Sequence, residues 1–243
     1  MTYTQIQLLG HATLKIITPE NRIILVDPWL IENNFIPQHL RRQDVIDMIV
    51  ITHGHEDHFD RHMPEMVEKT RAIVIANSIV RFYLYEQGVD KDLIEPMNLG
   101  GTIKVKDVTI SMVPAQHLGH IMIDNNSISY THPSVGFVFQ FSDGVRIYVA
   151  GDTGVFSDMA LIGEIYHPQI AVLPIGGRFT MGPMEATHAI RLLKVPHVIP
   201  YHYGTFESLT DSANEFRELS RSIIPLTIHE LKAGDILDCH SVL

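Results

Sequence analysis

The stretch His53-Gly54-His55-Glu56-Asp57-His58 follows the apolar run Asp47-Met48-Ile49-Val50-Ile51-Thr52. A strand that leads into a tight turn can aim such side chains at two neighbouring metal ions. The first two histidines would face one ion, and the aspartate and the last histidine would bend back to face a second. Neutral imidazole and carboxylate suit zinc and other first-row divalent ions better than calcium or magnesium. The stretch therefore predicts a metal site at the end of a strand.

Three further residues fit the same geometry, because each follows an apolar segment. His117 comes after residues 110–116, Asp152 lies in Gly151-Asp152-Thr153 after residues 147–150, and His202 comes after residues 197–201. Each is weak evidence alone, since a single histidine after a strand is often a surface residue and an aspartate beside glycine often forms a turn. Strand ends along one edge of a sheet converge in space, so the joint pattern is much more specific.

Composition limits the class of protein. The chain has 243 residues, 45% of them hydrophobic, and its one cysteine, Cys239, excludes an internal disulfide. Residues 1–5 carry no basic region and no long apolar run, and no stretch approaches the ~20 apolar residues of a membrane helix. We therefore expect a cytoplasmic protein with no membrane association. A formal net charge of −10 disfavours a phosphate-tracking surface for nucleic acid, although a small anionic substrate is compatible with it.

The order of predicted elements indicates the fold. Strands are predicted at residues 5–9, 13–17, 22–26, 47–51, 103–105, 108–113, 136–141, 145–150, 170–173, 197–200 and 226–229. Helices are predicted at residues 62–69, 78–87, 157–165, 183–193 and 212–221, with Gly88 and Pro183 placed as a helix stop and a helix start. Two β-rich blocks, each followed by helices, predict an α/β (α+β) protein: a four-layer αββα sandwich forming a single domain over residues 1–243. Residues 118–134 are predicted to be irregular, with a loop tip at residues 124–127, and are placed to act as a lid.

Short motifs along nearly the whole chain accompany this pattern. They are Gly10-His11, Val26-Asp27-Pro28, Pro114-Ala115-Gln116-His117, Gly151-Asp152-Thr153, Pro174-Ile175-Gly176-Gly177, Phe179-Thr180-Met181-Gly182-Pro183 and Pro200-Tyr201-His202-Tyr203-Gly204-Thr205-Phe206. With the His53–His58 stretch, they resemble the metallo-β-lactamase fold superfamily. Within it, the chain is most similar to small metal-dependent hydrolases related to ascorbate-6-phosphate lactonase.

The resemblance implies a binuclear site and a reaction. It assigns the first ion to His53, His55 and His117, the second to Asp57, His58 and His202, and the bridge to Asp152. It implies hydrolysis of a small ester, lactone or phosphoester by a metal-bound hydroxide, with Asp57 and His202 taking part in catalysis. Zinc is the expected metal from the ligand types, and manganese is plausible because the related lactonases are associated with it.

Further residues are candidates for supporting roles. Asp27 is expected to accept a hydrogen bond from a metal-bound imidazole, with a turn or helix cap as the alternative. His11 is expected to line the pocket, and Thr153 to bond around Asp152. Arg178, beside a helix start, is a candidate to hold a phosphate or carboxylate, with a solvated loop arginine as the alternative. Tyr203 is a candidate oxyanion donor.

Three other functions remain open from the sequence. A nuclease or phosphodiesterase of the same superfamily is disfavoured by the missing basic stripe. A diiron redox protein is disfavoured because His55 stands where such proteins typically have glutamate. A non-catalytic metal-binding protein is disfavoured because no ligand is lost. His120 and His132 are expected not to be ligands. The partner is expected to be a small molecule, anionic or neutral, and a homo-oligomer is open.

Overall fold

Two seven-stranded sheets form the centre of the molecule in a computed structural model that describes residues 3–124, 127–209 and 211–243. The first sheet has the order β14-β1-β2-β3-β4-β5-β6. Its strands are β1 (Gln5–Gly10), β2 (Thr13–Ile17), β3 (Ile23–Val26), β4 (Met48–Val50), β5 (Ile73–Asn77), β6 (Ile94–Met97) and β14 (Ile236–Asp238). The second has the order β13-β12-β11-β10-β9-β8-β7. Its strands are β7 (Thr102–Val105), β8 (Val108–Asp124), β9 (Ser127–Gln140), β10 (Arg146–Val149), β11 (Ile170–Pro174), β12 (His197–Tyr201) and β13 (Thr227–Ile228).

Five α-helices of the described residues cover the outer faces of the sheets. They are α1 (Met63–Thr70), α2 (Ser78–Glu86), α3 (Met159–Tyr166), α4 (Pro183–Leu193) and α5 (Ala213–Ser220). Gly88 has the positive φ of 84° expected of a residue that ends a helix, and Pro183 begins α4 as predicted. No helix in the described residues is long and apolar enough to cross a membrane.

Three buried clusters divide the molecule into four layers. One lies between the sheets and includes Ile16 and Phe137. A second packs the first sheet against α1 and α2, and a third packs the second sheet against α3, α4 and α5. Because each sheet is covered on both faces, strands such as β4 and β11 are buried along their whole length and read as continuous apolar runs. The predicted αββα sandwich is confirmed.

The carboxyl ends of several strands meet at one edge of this sandwich. Strands β3 to β6 are parallel in the first sheet, and β10 to β13 are parallel in the second. Parallel strands end on the same side, where loops are free to carry functional side chains. This edge is the place where the predicted ligands follow their strands.

The prediction of an irregular segment at residues 118–134 is wrong. There, β8 and β9 form a long antiparallel hairpin that pairs Leu118 with Pro133 and Ile121 with Ser129. The register shifts near Pro114, Gly119 and Met122 interrupt the alternation of side chains, which explains why the sequence pattern looked irregular. Asn125 and Asn126, in the predicted loop tip, lie outside the described residues. Strands β5, β6 and β14 were not predicted.

Gly163 allows α3 to approach α4 closely. A Cβ atom at this position would meet the Leu193 backbone, 2.8 Å from its carbonyl carbon and 2.9 Å from its Cα. Helix propensity alone favours alanine over glycine by about 1 kcal/mol. We predict the opposite sign for Gly163→Ala, a loss of about 1–3 kcal/mol in the free energy of unfolding in urea, because backbone atoms cannot move aside cheaply.

The matched control for this prediction is Leu161→Ala on the same helix. Leu161 is 51% exposed, so its truncation should change the free energy of unfolding by less than about 0.5 kcal/mol. A Gly163→Ala variant that is more stable than the parent would show that the two helices are free to separate.

Candidate metal centre

Five strand ends deliver the candidate residues to one place. His11 follows β1, Asp27 follows β3, the His53–His58 stretch follows β4, Asp152 follows β10, and His202 follows β12. His11, Asp27 and His202 have positive φ angles of 56°, 48° and 55°. Such left-handed conformations are uncommon for residues other than glycine and cluster at functional sites. His117 differs from the prediction, since it lies inside β8 at the register shift rather than after the strand.

The first group of ligand atoms comes from His53, His55, His117 and Asp152, and all of them lie within 4.8 Å of one another. His53 Nε2 lies 3.1 Å from His55 Nδ1, and His117 Nε2 lies 3.3 Å from the same Nδ1. His55 therefore faces the centre of the group through Nδ1, whereas the other two histidines face it through Nε2.

The second group comes from His11, Asp57, His58 and His202, again within 4.8 Å of one another. His202 Nε2 lies 3.6 Å and His11 Nε2 lies 3.1 Å from Asp57 Oδ2. The resemblance assigned three of these residues, Asp57, His58 and His202, to one ion. His11 joins them as a neighbour of Asp57, at only 4% exposure.

Asp152 contacts both groups. Its Oδ1 lies 3.2 Å from His58 Nε2, and its Oδ2 lies 3.3 Å from His202 Nε2. The same Oδ2 lies 3.8 Å from His117 Nε2 and 3.9 Å from His53 Nε2. This carboxylate is 2% exposed and lies within 3.9 Å of a nitrogen from each of the four histidines.

The buried Asp152 carboxylate is stabilised by positive charge on the neighbouring histidines. Burial disfavours the ionised form of Asp152, but His202 and His58 outweigh it and hold the pKa of that carboxyl well below its usual range. The same contacts raise the pKa of the imidazoles. Burial disfavours the charged form of His202, but Asp152 outweighs it and raises the pKa of His202 to about 9. The pKa of His58 is likewise raised well above its usual value against the effect of burial. Positive charge at these atoms therefore stabilises the site.

The residues present fit a pair of divalent cations. His58 Nε2, His202 Nε2 and Asp152 Oδ1 are buried, and although both nitrogens lie within 3.3 Å of the Asp152 carboxylate, none of the three atoms makes a hydrogen bond of proper geometry among the described residues. Buried polar atoms are normally satisfied, and ligation by a cation satisfies all three while supplying the charge that the carboxylates require. Imidazole and carboxylate donors in these numbers suit zinc and other first-row divalent ions.

The nitrogens of His53 and His58 that face away from the centre are held by partners, whereas His202 Nδ1 has no hydrogen-bond partner among the described residues. His58 Nδ1 lies 2.9 Å from Asp27 Oδ2, and His53 Nδ1 lies 3.0 Å from Thr52 Oγ1. Thr52 in turn donates its hydroxyl to Asp27 Oδ2 at 2.6 Å and its backbone N–H to Asp27 Oδ1 at 2.7 Å. One buried carboxylate therefore orients a histidine from each group, which fixes the nitrogen that each presents to a metal.

Two other partners come from the second sheet. His120 Nδ1 lies 3.0 Å from His55 Nε2, and Thr205 Oγ1 lies 2.7 Å from His11 Nδ1. Thr52 and Thr205 were not predicted in this role, although Thr52 precedes His53 and Thr205 is three residues after His202. No role was predicted for His120. Thr153 does not bond to Asp152. Its hydroxyl accepts the Gln116 N–H at 2.9 Å and ties the segment before His117 to the segment after Asp152.

The hairpin of β8 and β9 packs directly on the ligand loop. A Cβ atom at Gly54 would overlap Ile121 and lie 2.9 Å from the His120 carbonyl oxygen. A Cβ atom at Gly119 would lie 2.8 Å from His53 Cβ. Glycine at these two positions therefore permits the approach that brings His117 and His120 to the site.

A cleft of about 750 Å³ opens above both groups, and Asp57, His117, Asp152 and His202 line it. Two candidate substrate residues lie elsewhere among the described residues. Arg178 is not part of the lining, and its guanidinium lies over the Phe179 ring at 5.4 Å. Tyr203 packs half-buried against the core of the second sheet. The geometry therefore gives no support to an anion-holding Arg178 or to Tyr203 as an oxyanion donor.

Known proteins resemble this chain over nearly its full length. Residues 22–203 match the family described as Beta-lactamase superfamily domain. A UPF0173 metal-dependent hydrolase of Rubrobacter xylanophilus is 43% identical over 96% of both chains. One of Koribacter versatilis is 39% identical over 93% of this chain and 94% of its own. The structure of Igni18, a metallo hydrolase of Ignicoccus hospitalis, superposes with a TM-score of 0.81 at 30% identity, covering 96% of this chain and 97% of that one.

Asp27 provides a direct test of the orienting network. In Asp27→Asn a single amide oxygen must replace two carboxylate oxygens that accept three hydrogen bonds from Thr52 and His58. We predict about 10- to 100-fold weaker zinc binding, measured by competition with a chromophoric chelator.

Asp60→Asn is the matched control. Asp60 is a buried carboxylate that also accepts three hydrogen bonds, from the backbone N–H groups of Leu30, Ile31 and His62. Its substitution should lower the free energy of unfolding but weaken zinc binding much less than Asp27→Asn does. Equal zinc affinity in Asp27→Asn and the parent would contradict the orienting role.

Proposed function

The chain belongs to the β-lactamase superfamily, among its metal-dependent hydrolases, and we propose that it hydrolyses a small ester, lactone or phosphoester at a binuclear site. The observation that carries this proposal is the position of Asp152 between two groups of histidines, within 3.9 Å of a nitrogen from each of His53, His58, His117 and His202.

The proposed ligands divide between the two groups. His53, His55 and His117 would hold one ion, Asp57, His58 and His202 would hold the other, and Asp152 would lie between them. Zinc is the first candidate from the ligand types, with manganese as the second. When bound there, two divalent ions would supply Lewis acidity that makes water easier to deprotonate and polarises the bond under attack.

Asp57 is placed to orient the attacking water. Its side chain lines the cleft at 28% exposure, and its Oδ2 lies within 3.1 Å of His11 Nε2. His11 is fixed in turn by Thr205, so Asp57 is held in one orientation. Burial disfavours the ionised form of Asp57, but His58, His11 and His202 outweigh it and hold the pKa of its carboxyl well below its usual range, so Asp57 stays ionised. We assign Asp57 to orienting the attacking water as a hydrogen-bond acceptor, and His202, 3.6 Å away, to positioning Asp57 and the second ion.

The nuclease alternative lacks a matching surface. The formal net charge is −10, and the arginine that lines the cleft, Arg61, is paired with Glu32 at 2.7 Å. A backbone-tracking groove needs several unpaired cations. A non-catalytic metal-binding protein is the remaining alternative, and it predicts bound metal without turnover.

Metal content and turnover test the proposal together. Protein purified without added metal, then loaded with zinc or manganese, is expected to hold about two equivalents by elemental analysis and to hydrolyse simple aryl esters or lactones. The double variant His53→Ala, Asp152→Ala removes a ligand and the bridge, so it should hold far less metal and lose turnover.

The control is His188→Ala, which removes an exposed histidine on α4 outside the site. It should retain metal and activity. Parent protein that holds no metal after loading would refute the binuclear site. Two equivalents of metal without hydrolysis of any ester, lactone or phosphoester would favour the non-catalytic alternative.

A further inference from the structure

The cleft above the candidate metal centre is walled mainly by apolar side chains. Residues that line it away from the ligands include Trp29, Phe59, Tyr83, Ile121, Phe179 and Phe206. They come from the loops after β3, β4, β11 and β12, from α2 and from the β8–β9 hairpin. A ligand that fills this space would bury its surface against aromatic rings on more than one side.

Part of this wall lies beside His11, which contacts both Asp57 and His202. Phe206 is four residues after His202, and its ring lies 5.1 Å from that of His11, between centroids. The His11 ring is 4.2 Å from the His202 ring, and its Nε2 bonds to Asp57. Trp29 stacks on Phe206 at 6.2 Å. Because both rings line the same cleft as Asp57 and His202, a substituent that extends from the reacting bond past His11 would meet them.

The same wall offers no free cation. Arg61 is the only lysine or arginine among the described residues that line the cleft, and both its Nε and Nη2 donate to Glu32 Oε2, at 3.0 and 2.7 Å. Glu56 adds a further negative charge to the lining. A phosphate or carboxylate placed on the substrate away from the reacting bond would be repelled by Glu32 and Glu56 and would have to compete with Glu32 for Arg61.

We propose that the substrate is an uncharged ester or lactone with an aromatic substituent next to the reacting carbonyl, and that Trp29 and Phe206 determine this preference. The inference rests on the hydrolysis proposed above. Water adds its oxygen to the acyl carbon, the acyl C–O bond breaks, and the leaving oxygen takes a proton. Burial of a phenyl group against the rings accounts for the selection, because aromatic contacts and apolar area both favour it.

Three lactones with the same ring test the preference in the zinc- or manganese-loaded protein. They are γ-butyrolactone and its derivatives that carry either a phenyl group or a carboxylate on the carbon next to the carbonyl. We expect kcat/KM for the phenyl lactone to exceed that for γ-butyrolactone by about 10- to 100-fold, the factor that burial of one aromatic group provides. We expect the carboxylate derivative to fall below γ-butyrolactone.

Variants of the wall test the assigned residues. Phe206→Ala and Trp29→Ala should each lower the ratio of kcat/KM between the phenyl lactone and γ-butyrolactone by about tenfold, mainly through KM. Phe206→Leu retains apolar area, so its ratio should fall less than that of Phe206→Ala. This difference shows that the change in ratio comes from lost contact with the substrate and not from misfolding. Phe82→Ala is the matched control, because Phe82 is a 50% exposed phenylalanine outside the cleft lining, and its ratio should equal that of the parent.

The outcomes separate this inference from the function on which it rests. Hydrolysis of all three lactones at equal efficiency, or best hydrolysis of the carboxylate derivative, would overturn the inference and leave the hydrolase proposal standing. An unchanged ratio in both Phe206→Ala and Trp29→Ala would overturn the assignment of the wall. No hydrolysis of any ester, lactone or phosphoester by the metal-loaded parent would overturn the proposed function itself.

Discussion

The contact of one buried carboxylate with histidines from both sheets is the interaction on which the site depends. Asp152 belongs to the second sheet, and it meets His53 and His58 from the first as well as His117 and His202 from its own. An ionised carboxylate at this depth is costly unless positive charge surrounds it. The five strand ends, three of them followed by residues in left-handed conformations, serve to bring that charge together.

The supporting contacts divide into two systems that meet at this carboxylate. Asp27 and Thr52 orient one histidine of each group from within the first sheet. The β8–β9 hairpin supplies His117 and His120 from the second sheet and also contributes Ile121 to the cleft wall. The segment 202–206 combines a ligand, the hydroxyl that fixes His11, and an aromatic wall residue. Geometry of the centre and shape of the cleft are thus set by the same short segments.

The layers and the candidate ligands were predictable from sequence because both leave local signals. Apolar runs followed by histidine or aspartate marked the strand ends that the structure brings together, and the resemblance assigned them to two ions. The hairpin was not predictable, because register shifts near Gly119 break its alternation and because cross-strand pairing is not a local property. Arg178 and Tyr203 follow strands as the ligands do, yet the direction of a loop side chain depends on packing that a sequence does not show. The single domain, the cytoplasmic location and the oligomeric state stay predictions.

The most direct test of the central claim is anomalous diffraction at the zinc edge from crystals of zinc-loaded protein. The account predicts two peaks roughly 3.5–4 Å apart on either side of the Asp152 carboxylate. One peak should contact His55 through Nδ1 and His53 and His117 through Nε2, as their positions in the structure require. A single peak, or two peaks that leave Asp152 uncoordinated, would contradict the account.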